Sequence, residues 1–370
     1  MTRLAILNLF QSRTRLVISV GGVALALMLI LSLDAIVLWM EQRVTGYIDA
    51  SGADVFVAQS GVRNMHMASS SLAGDRADAV ARLPGVESVT PIMYVTNVVA
   101  SGEERSLAYI IGLPREARTG GPWIVESGRG LPGRGEAVID QGVAEKSSIG
   151  LGDEVEILGG EFEVVGLSGG TASLTNSIAF IDSRDFSELA ASPGVVSFLL
   201  VRVRPGVSPA ELARMIETKV RDVTAQTRQA FAAQERKVVR DMSTDLVTIM
   251  NSVGFLIGLA VMGLTVYTAT LQRRAEHGVL KALGASNREL CLSVAVQALV
   301  SVGLGLMAGL TFTLLLAAIV PRLVSSLGLA VSLASLAKVA VASLIFAGAS
   351  ALLPILQIRG LDPARVFQGK

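Results

Sequence analysis

The chain has 370 residues, of which 51% are hydrophobic and 17% charged, with a formal net charge of +1 at pH 7. Soluble globular domains carry about 25% charged residues, so this composition indicates that a large share of the chain lies outside water. The balanced charge and the absence of a basic tract with interleaved aromatic residues argue against a nucleic-acid partner. The single cysteine excludes an intrachain disulfide.

The chain begins with a basic segment that leads into an apolar run. Residues 1–15 contain three arginines and no acidic residue, and their apolar residues recur at helical spacing, which predicts a short amphipathic cytoplasmic segment. Residues 16–40 follow as the predicted first transmembrane helix, longer than the apolar region of a signal peptide. Asp34 lies near its end. We interpret Asp34 as a residue at the outer interface, with a functional intramembrane carboxylate as the alternative.

Residues 41–244 are polar and long enough for one or two compact units, and they form the predicted extracytoplasmic domain. Turn signals separate short alternating segments from helical ones, and residues 101–104 predict a hairpin turn. The predicted strands are 53–58, 86–100, 105–111 and 196–203, and the predicted helices are 75–83 and 209–220, the latter with Ser208 as its N-cap. Residues 120–170 are rich in glycine and predict small antiparallel strands. The domain is therefore α+β, a βαβ-like part with a glycine-rich β insertion.

One loop of this domain contains residue types that bind haem or soft metals. Met65, His66 and Met67 are adjacent in the serine- and methionine-rich loop 60–74, which has the composition of a mobile segment. No second cluster of metal-binding residues supports a site. We therefore interpret the three residues as part of a loop and predict neither a metal site nor a cofactor.

Three further apolar runs predict three more transmembrane helices. Each run is long enough to cross the hydrocarbon core of a bilayer, and short polar segments join them. The predicted order is helix 245–271, connector 272–289, helix 290–320, outer loop 321–334, helix 335–357 and cytoplasmic tail 358–370. The sequence thus predicts an α+β membrane protein with four transmembrane helices and a large domain between the first and the second.

Two of these helices contain pairs of glycines with GxxxG spacing. Gly254 and Gly258 form one pair, and Gly305 and Gly309 form the other. This spacing lets helices approach closely. Packing within the chain and contact with a second copy of the chain both remain open.

The connector 272–289 has the pattern of a short amphipathic helix. Val279, Leu280 and Leu283 fall on one stripe of that helix, and charged residues occupy the rest of its surface. Gly284 has the position of an αL C-cap, and Ser286 with Glu289 has capping-box spacing. A surface helix with an exposed apolar stripe requires a partner groove.

The distribution of lysine and arginine predicts the orientation in the membrane. Residues 1–15 contain three, the connector four and the tail three, whereas the region around the outer loop contains only Arg322 and Lys338. Short loops rich in positive charge stay in the cytoplasm. Both termini and the connector are therefore predicted to be cytoplasmic, in a plasma or inner membrane.

The segment RAEHGVLKALGAS (274–286) resembles the cytoplasmic coupling segment of FtsX/MacB-type ABC transporter permeases, and RGLDPA (359–364) resembles the segment that closes them. The order of segments is similar over nearly the whole chain, and the stretch from Gly52 to Val55 resembles the DevC-like branch. The resemblance implies an ATPase-coupling role for Arg274, Glu276, Gly278, Val279, Leu280, Lys281, Leu283 and Gly284.

This resemblance also implies partners and a function. It implies a permease homodimer, two ABC ATPase subunits that bind the ATP, and a MacB-like periplasmic core domain, with a membrane-fusion adaptor as a further partner. The sequence contains no G-x-x-x-x-G-K-[ST] motif and no hydrolase motif, so we predict a non-enzymatic subunit. Export of a hydrophobic or lipid-like substrate is the expected function. The alternative is an FtsX-like scaffold that activates a cell-wall hydrolase without transport.

Overall fold

The computed structural model describes residues 13–171, 176–324 and 327–359. The described helices are α1 Arg13–Val44, α2 Gly46–Ala50, α3 Asp75–Ala81, α4 Gln141–Lys146, α5 Ser183–Leu189, α6 Pro209–Lys219, α7 Arg228–Gln272, α8 Arg274–Ala282, α9 Asn287–Leu323 and α10 Leu333–Arg359. The described strands are β1 Val55–Gln59, β2 Leu72–Ala73, β3 Val86–Ser101, β4 Glu104–Leu113, β5 Val125–Gly128, β6 Glu136–Asp140, β7 Glu154–Ile157, β8 Gly160–Ser168, β9 Ser177–Asp182, β10 Val195–Val196, β11 Phe198–Val203 and β12 Val223–Thr227.

The chain divides into two compact units. Met1–Trp39 together with Ser243–Lys370 forms one, which we call the helical unit, and Met40–Met242 forms the other, which we call the inserted domain. Most of the predicted amphipathic segment 1–15 and nearly all of the tail 358–370 lie outside the described residues.

Four of the described helices are long and apolar enough to cross a membrane. They are α1 from Leu16, α7, α9 and the part Leu333–Leu352 of α10. The predicted layout of four transmembrane helices, with an α+β domain between the first and the second, is confirmed. The helix that contains the predicted second span begins at Arg228, well before residue 245, so the span is the second half of a single helix of 45 residues.

The core of the helical unit consists of small and aliphatic side chains from α1, α7, α9 and α10, and one pair of stacked aromatic rings. The rings of Phe255 and Phe346 stack with centroids 4.6 Å apart. Buried members of this core include Val23, Leu27, Met262, Val294 and Val302. Many leucines on the opposite faces of these helices stay exposed, as is appropriate where lipid replaces water.

The four glycines of the GxxxG pairs all face α1 of the same chain. A Cβ atom at Gly258 would lie 2.5 Å from the Cβ of Ala26, and one at Gly309 would lie 2.9 Å from the carbonyl oxygen of Ala24. Gly254 faces Leu29 and Gly305 faces Val23 in the same way. These contacts favour the intrachain alternative, because a Cβ atom at Gly258, Gly305 or Gly309 would collide with α1 and force two helices of the same chain apart.

The inserted domain is built on a sheet whose first part has split βαβ topology. Its strand order is β12-β1-β11-β3-β4-β9-β6-β8-β5, with β7 paired to β3 and β8. The pairs β12–β1, β1–β11 and β11–β3 are antiparallel, and α3 and α6 provide the crossovers on one face. The predicted βαβ-like part with a β insertion is therefore confirmed.

Alternation along the central strands separates two cores. Val55, Val57, Leu199 and Val201 belong to the core under α3 and α6. Their neighbours Phe56, Ala58, Phe198 and Leu200 belong to a second core on the opposite face, which also contains Phe231 and Ala232 from α7. Because successive side chains of a strand point to opposite faces, both faces of this part of the sheet are covered.

Three local predictions for this domain have different outcomes. The hairpin between β3 and β4 is present, with Ser101 opposite Glu104 and a left-handed Gly102 (φ 59°). Ser208 is the N-cap residue of α6, but its side chain makes no cap hydrogen bond; only its carbonyl accepts from Glu211 and Leu212. The glycine-rich insertion is not purely antiparallel, because β6 pairs parallel to β8.

Candidate coupling site

Helix α8 of the connector ends in a Schellman motif. Gly284 has φ 97°, a left-handed conformation that a residue without Cβ adopts freely. Its N–H donates to the carbonyl of Lys281 at 3.1 Å, and the N–H of Ala285 donates to the carbonyl of Leu280 at 2.9 Å. These two bonds satisfy two of the carbonyls in the last turn of the helix, so the predicted glycine stop is present.

Helix α9 begins at Asn287, after four intervening residues, with a complete capping box. The Glu289 N–H donates to Ser286 Oγ at 3.3 Å, and the Ser286 N–H donates to Glu289 Oε2 at 2.9 Å. The predicted capping box is therefore present. Both helices that meet at residues 283–286 have hydrogen-bonded ends.

The predicted apolar stripe of α8 is divided by the structure. Val279 is 42% exposed and Leu283 is 79% exposed. Leu280, in contrast, is half-buried and packs against the core of the helical unit. A partner can therefore contact Val279 and Leu283, whereas Leu280 mainly anchors α8 to its own chain, because its position faces the bundle.

The other predicted coupling residues surround this surface. Gly278 is buried, Lys281 is half-buried and Glu276 is exposed. Arg273 Nη1 lies 3.7 Å from Glu276 Oε2. The backbone of Arg274 is helical, and its side chain lies outside what the structure describes. The exposed face of α8 thus consists of two apolar side chains next to an exposed carboxylate.

A second polar group lies within the helical unit. Lys338 Nζ donates to both carboxylate oxygens of Asp34 at 2.9 Å, and Asn251 Nδ2 lies 3.4 Å from Asp34 Oδ1. The Asp34 side chain is only 14% exposed. Asp34 therefore joins α1, α7 and α10, a role that the sequence interpretation of an isolated residue at the interface missed.

Breaking this ion pair should reveal coupling between its partners. We expect Asp34→Ala and Lys338→Met each to cost about 1–3 kcal/mol, because each leaves the other charge without its partner. The double variant should cost clearly less than the sum of the two. Thermal unfolding of the detergent-solubilised protein measures this. As a control, the losses of stability caused by Lys338→Met and by Glu103→Ala in the inserted domain should add. If the losses caused by Asp34→Ala and Lys338→Met also add, the prediction is wrong.

The loop that contains Met65, His66 and Met67 is anchored, contrary to its interpretation as a mobile loop. The buried carboxylate of Glu235 on α7 accepts a hydrogen bond from the Met65 N–H, and its Oε2 lies 2.9 Å from His66 Nδ1. The His66 ring contacts the Tyr109 ring edge-on at 4.7 Å. Among the described residues, no group of three His, Cys, Asp or Glu side chains could hold a metal ion.

Two family models match this chain. The model of the MacB-like periplasmic core domain matches residues 16–219, and that of the FtsX-like permease C-terminal matches residues 248–363. The chain is similar to an ABC transporter permease of Mycobacterium bovis, with 24% identity over 96% of each chain. It is also similar to one of Methanocaldococcus jannaschii, with 23% identity over 87% of this chain and 84% of the relative.

A solved structure is also similar to part of the chain. The periplasmic region of MacB from Actinobacillus actinomycetemcomitans aligns with 52% of this chain and 97% of its own length, with 14% identity and a TM-score of 0.39. The first family model alone covers more than half of the chain, and the second covers most of the remainder. The resemblance found in residues 274–286 is thereby confirmed: the chain belongs to the FtsX/MacB-type ABC transporter permeases, multi-pass membrane proteins that work with an ATPase partner.

Proposed function

We propose that this permease couples ATP hydrolysis by a separate ATPase subunit to movement of the inserted domain. This movement of the inserted domain exports or extracts a hydrophobic or lipid-like substrate. The observation that carries the proposal is the exposed pair Val279 and Leu283 on a helix whose C-terminal end is fixed by its own hydrogen bonds. On the polar connector, this exposed apolar pair is available for contact with another protein.

In this mechanism, a groove of the ATPase holds Val279 and Leu283, and Glu276 with its charged neighbours sets the orientation of α8. Leu280 transfers the displacement to the bundle, because it packs against the core of the helical unit. The continuous helix α7, which extends from Arg228 to Gln272, and α1 then carry the movement to the inserted domain. The residues of the glycine pairs let α7 and α9 follow α1 closely.

The assembly that this function requires contains two copies of the permease and two ATPase subunits. Both termini and α8 lie in the cytoplasm, in accordance with the excess of lysine and arginine in these segments. The inserted domain lies on the other side of the plasma or inner membrane. In an organism with two membranes, a membrane-fusion adaptor that contacts the inserted domain would carry the substrate further outward.

A charged residue introduced at the exposed position 283 of the connector tests the coupling role directly. We expect Leu283→Asp to weaken binding of the ATPase roughly tenfold to a hundredfold, because burial of a leucine side chain contributes about 1.5–3 kcal/mol. Co-purification with the cognate ATPase and stimulation of its ATP hydrolysis in lipid nanodiscs measure the effect. The control is the same substitution at an exposed leucine of the inserted domain. Leu151 is 49% exposed, and Leu151→Asp should leave both co-purification and stimulation unchanged.

Two results would contradict the proposal. Unchanged co-purification and stimulation for Leu283→Asp would show that α8 is not the contact with the ATPase. Normal ATPase coupling without release of any lipid-like cargo from reconstituted vesicles would show that the permease transmits a signal and does not transport.

A further inference from the structure

The inserted domain contains a cavity of about 250 Å³, close to the lower limit of about 300 Å³ for typical small-molecule sites. Aromatic side chains are concentrated in its wall. The whole chain has four tyrosines and two tryptophans, and three of these tyrosines and one tryptophan line this cavity. They are Tyr47, Tyr94, Tyr109 and Trp123. Such a concentration in a chain with 5% aromatic residues indicates a binding surface.

The cavity has a buried apolar floor and an exposed rim. Tyr47, Met65 and Ile178 are 4%, 2% and 6% exposed and form the deep part. Arg43 is exposed and Met242 is 70% exposed, and both lie at the rim. Methionine and aromatic side chains adapt to apolar ligands of different shape. The gradient from an apolar floor to a cationic rim matches an amphiphilic molecule.

The polar groups of the wall are held in place by contacts of the fold. The Tyr47 hydroxyl donates to the Gly120 carbonyl at 2.9 Å. The carboxylate of Glu235 is an acceptor on the Nδ1 side of His66, which leaves Nε2 as the ring nitrogen available to a ligand. Burial raises the pKa of Tyr47, Tyr94 and Tyr109 above the ordinary value of tyrosine, so these phenols stay neutral.

We infer that this cavity binds a compact single-chain amphiphile with a carboxylate head, its chain on the floor between Met65 and Ile178 and its head at Arg43. The inference extends the proposed function, because it gives the hydrophobic cargo a site in the inserted domain. Binding is measured without the ATPase. The site and the coupling mechanism can therefore fail independently of each other.

Tryptophan fluorescence provides a local probe. Because the chain has only Trp39 and Trp123, the variant Trp39→Phe leaves the cavity tryptophan as the single reporter. Bromine-substituted octanoic acid should quench Trp123 in a saturable manner in the full-length protein in nanodiscs, and unlabelled octanoic acid should reverse the quenching. The variant Trp123→Phe, which retains Trp39, reports unspecific partitioning into the bilayer and should show no saturable component.

Two substitutions test where the carboxylate head and the alkyl chain of the ligand bind. Arg43→Gln should weaken binding of octanoic acid about tenfold and leave octanol unchanged, because only the acid has a charge for the guanidinium. Arg202→Gln, which replaces a half-exposed arginine outside the cavity, is the matched control and should have no effect. Ile178→Phe should reduce binding of both compounds, because the larger side chain fills the floor.

Saturable, competable quenching with the selective effect of Arg43→Gln supports the inference. Absence of saturable quenching at Trp123 overturns the site. Equal binding of acid and alcohol that Arg43→Gln leaves unchanged overturns the carboxylate head. If Ile178→Phe fails to fold, Arg43→Gln still tests the inference, because Arg43 is exposed and its replacement does not change the core.

Discussion

Replacement of Glu235 by alanine should lower the free energy of unfolding of the inserted domain by about 3–5 kcal/mol. The carboxylate is fully buried, accepts the Met65 N–H and contacts His66 Nδ1. Its removal leaves a buried backbone donor and a largely buried imidazole without their acceptor, and an orphaned partner costs more than the hydrogen bond contributes. The loop 60–74 should detach from α7 as a result.

Unfolding in detergent of the full-length protein that carries Trp39→Phe, followed by the fluorescence of Trp123, measures this loss. Glu235→Gln is the informative comparison, because its side chain carbonyl still accepts one of the two hydrogen bonds and should recover a large part of the stability. Glu103→Ala, in the exposed turn of the β3–β4 hairpin, should change the stability by less than about 0.5 kcal/mol. A Glu235→Ala protein as stable as the wild type would contradict the prediction.

Phe231→Ala should cost a similar amount, about 3–5 kcal/mol, the usual range for a buried phenylalanine. Phe231 is 1% exposed on α7, and its ring stacks on that of Phe56 at 4.8 Å with an interplanar angle of 8°. It also meets the Phe198 ring edge-on at 6.0 Å. The substitution removes both ring contacts and leaves a cavity that the two strands cannot close.

The matched control is Phe312→Ala, which removes a phenylalanine that is 52% exposed in α9 and should cost much less. Phe231 fixes the start of α7 on the sheet of the inserted domain. Under the proposed mechanism, Phe231→Ala should therefore reduce transport while ATPase binding at α8 persists. Equal losses of stability for the two phenylalanine variants would contradict the packing argument.

Local features of the connector could be predicted from sequence because each depends on residues a few positions apart. The glycine stop at Gly284 and the capping box of Ser286 and Glu289 follow from short-range hydrogen bonds whose partners are fixed by spacing. The four transmembrane helices could also be predicted, because each is indicated by the length of an uncharged run.

Features that depend on long-range contacts could not be predicted. His66 and Glu235 are separated by 169 positions, and Asp34 and Lys338 by 304, so no periodicity connects them. The division of the apolar stripe has the same origin: α8 alone presents Val279, Leu280 and Leu283 together, and only the packing of the bundle shows that Leu280 turns inward. The cavity was missed because its tyrosines come from segments far apart in the chain.

The turn between α8 and α9 contains only residues 283–286, and hydrogen bonds hold the helix end on one side of it and the helix start on the other. Such a joint leaves few backbone torsions that no hydrogen bond restrains. A displacement imposed on one helix would reach the next without being absorbed as stretching or fraying of the backbone between them. Under the proposed mechanism, the geometry of this turn would set how far the transmembrane helices move, and a weaker force would move them less often but equally far.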